Sequence, residues 1–345
     1  MTQSHFSTEF YLLVPAIVGS GVISWFLTKE FLRFGKNLGL EDIPNERSSH
    51  HTPTLRGGGV GFVLSLLILI LSMTISQNMD LYFGFALFLG SAGVAWAGWI
   101  DDRKGLPPAK RLVVHLACAA LVAGSVLLNV EIKPITMLLF GLLCTIFLAW
   151  YVNLYNFMDG TDALASVQAV TVTFWSAVHC YFTGDHELMG FFVAFGLSVL
   201  GFLRFNWPPA RVFMGDVGSG FLGFMFGSLA LYGHFKGSLD FLTSLLLMSV
   251  FLGDSGYTLI VRFFKRKNIF QAHRSHAYQH SVQRGLSHRS LALLVGAFNL
   301  FWLGPLTLAL RFYGSGIGVT VFISLAPLFL WQVFQRAGSD KAPAK

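Results

Sequence analysis

The chain has 345 residues, 54% of them hydrophobic, with 36 glycines and only 12% Asp, Glu, Lys or Arg; its mean hydropathy is +0.62. A soluble chain carries roughly twice that charged fraction, so disorder and a pair of soluble domains are both excluded. Three cysteines in so long a chain rule out a disulfide-stapled secreted scaffold. The formal charge of +7 raises nucleic acid as a partner only until its distribution is read.

Eleven apolar runs approach the 20-residue length that crosses a bilayer: 10–28, 57–75, 81–100, 111–130, 134–152, 163–183, 188–205, 218–235, 239–261, 290–310 and 316–334. The expected architecture is one all-α integral membrane domain over residues 1–345, a polytopic bundle of about eleven transmembrane helices in the lipid bilayer. The first run has no basic residue before it and no small-residue cleavage site after it, so it reads as a retained span. Cys118, Cys144 and Cys180 lie inside apolar runs and read as packing residues. Residues 336–345 read as a disordered tail.

Of the 24 Lys and Arg, 21 fall in alternate loops and the tail, the exceptions being Lys133, Lys236 and Arg311. By the positive-inside rule the rich side is cytoplasmic, with the N-terminus outside and the C-terminus inside, and the basic excess needs no nucleic acid. The outer connections are short turns. The inner ones, 29–56, 101–111, 153–162, 204–217 and 262–289, are longer and polar, which puts the working face at the cytoplasmic surface.

In chain order, the third run ends in Asp101-Asp102. Adjacent carboxylates repel unless a cation intervenes; either Arg103 and Lys104 neutralise the pair or a divalent metal does. The next inner loop packs Asn153, Asn156, Asp159 and Asp162 into ten residues. If helical, the first three share a face that can meet a metal, a phosphate or a base edge; helix capping accounts for one of the four, hardly for all. Between the seventh and eighth runs, glycines flank Asp216 in Phe213-Met214-Gly215-Asp216-Val217-Gly218-Ser219. The helix that follows offers N-terminal amides to phosphate, or Asp216 merely caps it. Neither Walker A nor Rossmann fingerprints occur. The last inner loop carries His273, Arg274, His276 and His280 behind a basic run. Zinc lacks a nearby carboxylate and a recognised spacing there; a donor surface for phosphate oxygens competes with a plain membrane-surface basic loop. Together the loops put five carboxylates and several phosphate donors on one membrane face. Carboxylate plus phosphate oxygens are what Mg²⁺ prefers, so metal-assisted transfer of a phosphorylated group follows.

The order of Asp101-Asp102, the stretch from Asn153 to Asp162 and the stretch from Phe213 to Ser219 resembles the polyprenyl-phosphate N-acetylhexosamine-1-phosphate transferase superfamily, glycosyltransferase family 4. The early loop from Pro44 through Arg47 and Arg56 to Gly59 is similar to that family's first cytoplasmic motif. The stretch His273-Arg274-Ser275-His276-Ala277-Tyr278-Gln279 resembles the bacterial branch that begins O-antigen or other surface polysaccharides. It departs from the triple-histidine loop of the peptidoglycan translocase, which argues against a muramoyl-pentapeptide substrate.

The resemblance implies attack of undecaprenyl phosphate on the β-phosphorus of a UDP-N-acetylhexosamine, with release of UMP. It implies Mg²⁺ as cofactor, with Mn²⁺ as the alternative ion. It makes Asp216 a metal ligand, assigns Asp101 and Asp102 to the lipid phosphate or the metal, and adds Asp159 to the catalytic set. Asn153 and Asn156 bind or orient ligand, Asp162 and Phe213 lie near the uracil, and His273, Arg274 and His276 contact the diphosphate. The basic position after the Asp pair is Lys110 or Arg111, with Arg111 preferred. N-acetylglucosamine and its 6-deoxy relatives of the fucosamine or quinovosamine type are all admissible sugars. The competing reading is an ion-coupled transporter, suggested by intramembrane Asp254, which sits within reach of Arg262 for a helix-anchoring ion pair. The absence of matching halves and the gathering of carboxylates at one surface oppose that reading.

Overall fold

The structure is a computed structural model; it describes residues 4–42, 53–128, 130, 133–268, 273–314 and 316–340. The early motif from Pro44 to Thr52 and the loop residue Gln271 lie outside the described residues. All eleven apolar runs fall on helices: α1 (Ser4–Phe34), α2 (Val60–Ile75), α3 (Leu81–Lys104), α4 (Pro108–Leu127), α5 (Pro134–Asn156), α6 (Leu164–Thr183), α7 (His186–Asn206), α8 (Asp216–Lys236), α9 (Phe241–Leu247) with α10 (Ser249–Phe264), α12 (His288–Phe298) with α13 (Gly304–Tyr313), and α14 (Ile317–Phe334). A short helix, α11 (Ala277–Gln283), sits in the last inner loop. The chain is a multi-pass, all-α membrane protein.

Among the described residues six helices are long and apolar enough to cross a membrane, or seven if the bent pair α9–α10 is one span. The expected eleven crossings include helices outside that set, two of them for local reasons. Helix α2 has only 16 residues, and α6 buries Gln168, Thr171, Thr173, Ser176 and His179, which dilute its apolar character.

The turns at one end are fixed by local chemistry. Gly184 ends α6 with a positive φ that glycine adopts without strain, and Asp185 then caps α7 by accepting from the amide of Leu188 at 3.0 Å. Asp80 and Asp240 cap α3 and α9 in the same way.

Helix α8 is buried almost all round, as expected of a core helix, and packs against α3 and α5. Gly98 of α3 lets the backbone at Asp216 approach so closely that any Cβ there would collide with the Asp216 carbonyl. At Met248 the chain bends by 77° between α9 and α10. The carbonyl of Leu247 freed by the bend accepts from Gln168 Nε2 at 3.2 Å, and Asn299 Nδ2 donates to Gln168 Oε1 at 2.7 Å. A broken span is tolerated where neighbouring helices re-satisfy the freed groups in this way. The three cysteines are free and buried.

The expected disordered tail differs in its first half. Ala337 is buried, Gly338 donates its amide to the Ser275 carbonyl at 2.7 Å, and Asp340 pairs with Lys267. The chain continues beyond α14 because these contacts tie it to the loop after α10. Residues 341–345 lie outside the described residues.

Candidate active site

Helix α3 runs one turn past its apolar stretch and carries Asp101 and Asp102 on that turn. Arg103 and Lys104 are exposed and make no ion pair among the described residues, so they are not the neutralising cations. Those come from distant segments. Arg56 Nε lies 2.6 Å from Asp102 Oδ1 and its Nη2 lies 3.2 Å from Asp216 Oδ1. Arg111 pairs with Asp101 and lies 2.8 Å from Asp216 Oδ2. The Arg56 guanidinium thus forks between Asp102 and Asp216, a geometry lysine cannot reproduce, while the single Nη1 of Arg111 bridges Asp101 and Asp216. Arg111, not the exposed Lys110, takes the basic position after the Asp pair.

A miniature sheet delivers Arg56. Strands β1 (Glu41–Asp42) and β2 (Thr54–Leu55) pair antiparallel, and Leu55 bridges to Val212. Phe213 donates to the Leu55 carbonyl at 2.7 Å, and the amides of Gly58 and Gly59 reach the Phe213 and Met214 carbonyls at 2.9 Å. Gly215, with φ of 76°, allows this approach; a Cβ there would lie 2.7 Å from the Gly57 nitrogen.

Asp102 departs from the role of metal ligand. Its side chain is fully buried, and its two oxygens accept from the amides of Asp216 at 2.9 Å and Val217 at 3.0 Å. It caps α8 from another helix. The amides of Gly218 and Ser219 turn back to the Gly215 carbonyl. The first amides of α8 are therefore committed within the protein, and the expectation that they meet phosphate is corrected.

Beside this knot opens a cavity of about 530 Å³, lined by Arg56, Arg111, Asn156, Asp159, Asp162, Phe213, Asp216, Arg274 and neighbours. Of the residues expected at the site, Asp101, Asp102, Asn153, His273 and His276 do not line it. Asp101 is turned to Arg111 and the Leu106 amide. Helix α5 ends at Asn156, so the three-residue spacing does not carry through. Asn153 back-bonds to the Ala149 carbonyl at 2.7 Å, Asn156 accepts from Ser219, and Asp159 sits in the turn beyond. Asp162 accepts from the Ala210 amide at 3.1 Å and lies 3.4 Å from His288 Nδ1.

The histidines divide differently from the expectation. Helix α11 begins only at Ala277, so His273 and His276 precede it and only His280 lies on it. His276 is buried against Phe157, His273 and Tyr278, and His280 Nδ1 meets the Gln335 carbonyl at 2.7 Å. Burial, with His276 and Arg262 nearby, pushes the His273 pKa down to about 4. A neutral, turned-away ring is a poor diphosphate contact, which leaves Arg274 as the cavity cation of that loop. Sequence reading missed Arg56, Gln279 and His288 as cavity residues. Arg56 stood in the early motif and Gln279 closed the histidine stretch, neither with a role assigned; nothing local marked His288.

Among the described residues no three Asp, Glu, His or Cys side chains stand close enough to hold a metal by themselves. The donor type nonetheless fits Mg²⁺, which takes one or two carboxylates and completes its shell with phosphate and water. Asp159 and Asp216 supply the carboxylates on the cavity wall, with Asn156 beside them. Burial, then the carboxylates of Asp216 and Asp102, push the Asp159 pKa well above its ordinary value. A carboxyl whose charge is resisted in this way is one that a cation would relieve.

A family model described as glycosyl transferase family 4 matches residues 84–234, a span that holds Asp101, Asp102, Arg111, Asn156, Asp159, Asp162, Phe213 and Asp216. Over this span the chain is similar to glycosyltransferase family 4. The chain is 24% identical over 334 residues to the probable undecaprenyl-phosphate N-acetylglucosaminyl 1-phosphate transferase of Bacillus subtilis (strain 168), covering 94% of this chain and 90% of that protein. It is 29% identical over 325 residues to the undecaprenyl-phosphate alpha-N-acetylglucosaminyl 1-phosphate transferase of Thermotoga maritima, covering 92% and 98%. A third relative, the phospho-N-acetylmuramoyl-pentapeptide-transferase of Streptococcus pneumoniae serotype 2, is 28% identical over 241 residues, covering 63% and 73%. Arg56, Arg274, Gln279 and His288 lie outside the matched residues, so the cavity is completed by segments that flank the match on both sides.

Proposed function

We propose that the protein transfers N-acetylhexosamine-1-phosphate from a UDP-N-acetylhexosamine to undecaprenyl phosphate, at the cytoplasmic face of a bacterial inner membrane, as the first membrane step of an O-antigen or related surface polysaccharide. A lipid phosphate oxygen bonds to the β-phosphorus, the bond from that phosphorus to the bridging oxygen breaks, and UMP leaves. The observation that carries the reading is the convergence of Asp159, Asp216, Asn156, Arg111 and Arg274 from four loops on one cavity, whose volume is that of a small-ligand site. The topology, N-terminus outside and C-terminus inside, rests on the basic residues of the same loops.

In this reading Arg274 and Arg111 bind phosphate oxygens. Asp216 and Asp159 would hold Mg²⁺, or Mn²⁺ in its place, and the bound ion would neutralise the diphosphate charge. Asp102 orients Asp216 through the cap of α8. The second pKa of a phosphate monoester lies near 6, so the lipid phosphate is already dianionic at neutral pH and gains little from a general base. Asp101 accordingly acts by position and charge, holding Arg111. Abolition of turnover above pH 8 in Asp101→Asn, with lipid and metal affinity intact, would contradict that role.

The test is a donor panel with purified protein, undecaprenyl phosphate and the UDP derivatives of N-acetylglucosamine, N-acetylfucosamine and N-acetylquinovosamine, scored by UMP release and lipid product mass. One donor is expected to give a lipid diphosphate sugar, and excess chelator to stop it. No product with any donor, or full activity in chelator, would overturn the corresponding part. The transporter reading loses its motive, because Asp254 is occupied by backbone amides rather than lining a path through the bilayer.

A further inference from the structure

Asp254 was expected beside Arg262, yet the two do not pair. The Asp254 side chain is fully buried in α10, just past the 77° bend. Its oxygens accept from the amides of Ala277 at 2.8 Å and Tyr278 at 3.0 Å, and from Thr258 Oγ1 at 3.2 Å. His276 Nδ1 stands 3.7 Å away, too far for a hydrogen bond. Two turns further along α10, Arg262 reaches the Asn268 carbonyl at 3.1 Å and Ser275 Oγ at 3.4 Å. A single helix therefore grips the last inner loop at both of its ends.

What this grip holds is the cavity wall. Arg274 lies three residues before the first amide that Asp254 binds, and Gln279 follows the second; both line the cavity. Gln279 Oε1 accepts from the His276 amide at 3.2 Å. Between them, the Tyr278 hydroxyl donates to the Phe157 carbonyl at 3.0 Å and packs so tightly on Gly160 that a Cβ there would collide with it. Phe157 and Gly160 bracket Asp159. The carboxylate of Asp254 thus connects, through two amides and one phenol, to both walls of the cavity.

We propose that Asp254 is a positioning residue for the transfer site: it fixes the start of α11 so that Arg274 and Gln279 face the donor substrate and Tyr278 braces the turn that carries Asp159. This deepens the reading of the cavity as the UDP-sugar site and rests on it. Asparagine at this position retains one acceptor but turns an amino group toward the second amide; alanine removes both acceptors from a buried pair of donors. The loop then loosens while the Arg56–Asp102–Asp216 knot, held by other segments, stays as it is.

The experiment uses the full chain purified in lipid nanodiscs, with wild type, Asp254→Asn, Asp254→Ala and Tyr278→Phe. Backbone hydrogen exchange is read across the chain, and KM is measured separately for the active UDP-sugar and for undecaprenyl phosphate. Asp254→Asn is expected to speed exchange at 273–283 alone. It should raise donor KM about tenfold, the loss of roughly one hydrogen bond to a charged group, with lipid KM within about twofold of wild type. Asp254→Ala should exceed it, and Tyr278→Phe, which leaves the buried carboxylate and its amides in place, should raise donor KM about threefold. Should the alanine variant not fold, the asparagine and phenylalanine variants carry the test. Unchanged exchange at 273–283, or equal changes in KM for both substrates, would overturn the role of Asp254. A wild-type protein that turns over no UDP-sugar would defeat the reading of the cavity instead, and the exchange result would still decide the tie.

Discussion

The protein has an ionic cluster at each end of helices α7 and α8, and the two are built differently. At the end where α7 begins and α8 finishes, Lys236 Nζ lies 2.8 Å from Asp185 and 3.5 Å from Glu187. Asp185 also accepts from Ser238 and caps α7. Cation and acid come from adjacent turns, and the acid is saturated. At the other end Arg56 and Arg111 reach Asp102, Asp101 and Asp216 from separate loops, and Asp216 keeps 18% of its side chain exposed beside the cavity. Charge pairing alone does not distinguish a brace from a site. A carboxylate held on one side and open on the other does.

The largest effect expected from breaking that contrast is at Asp216. Asp216→Asn keeps the shape but removes the charge that meets both arginines and that the proposed metal would need, and UMP release is expected to fall on the order of a thousandfold. Arg56 comes next. Arg56→Ala leaves the fully buried Asp102 without its cation, a class of change that costs about 3–5 kcal/mol; a large drop in thermal midpoint and roughly a hundredfold loss of turnover are expected together. Arg56→Lys should recover only part of either, since one ammonium cannot fork between Asp102 and Asp216. Full recovery by lysine would show that the fork is unimportant.

How much of this was legible in the sequence follows from the same contrast. Apolar length located the helices, because a bilayer imposes it on the chain directly, and the longer polar loops proved to be those that line the cavity. The acidic motifs were legible because carboxylates are rare in such a composition. Of their two cations Arg111, ten residues along, was legible, and Arg56 was not. Arg56 pairs across 160 residues with Asp216, and no local pattern announces a guanidinium arriving from a two-residue strand. The helical face drawn through Asn153, Asn156 and Asp159 failed because α5 stops at Asn156, where Phe157 and Met158 turn the chain. The histidine loop misled for a related reason: residue type suggested phosphate donors, whereas tertiary packing buries His276 and His280 and leaves Arg274 on the cavity.

Two smaller effects sharpen the comparison on the open side. Arg274→Ala is expected to lower kcat/KM for the donor about tenfold, the worth of one charge-assisted hydrogen bond, with little change in thermal midpoint. Steady-state kinetics with the donor varied would check it. The second concerns Asp159, whose pKa is raised by burial and by Asp216 and Asp102. A carboxyl with a raised folded-state pKa favours the fold most below its unfolded value near 4, and that contribution is lost as pH climbs toward the folded value. The metal-free protein should therefore lose stability across that window. Mg²⁺ should restore more of it at pH 8 than at pH 5, by about 2–4 °C in thermal midpoint. An increment that does not depend on pH would detach Asp159 from the metal.

The smallest effect belongs to the closed cluster and is the control for all the others. Lys236 is about one-third exposed and Asp185 is 9% exposed, so their pairing is worth about 1 kcal/mol or less. Asp185 keeps the Leu188 amide and the Ser238 hydroxyl when the ammonium is removed, so no buried charge is stranded. Lys236→Met should lower the thermal midpoint slightly and leave kcat and both KM values unchanged, because α8 transmits nothing from its far end that its first turn does not already receive from Asp102. A substantial loss of turnover in Lys236→Met, at a temperature where the variant is folded, would mean that the register of α8 is set at that end. The cap on Asp216 would then be a consequence of that register rather than its cause.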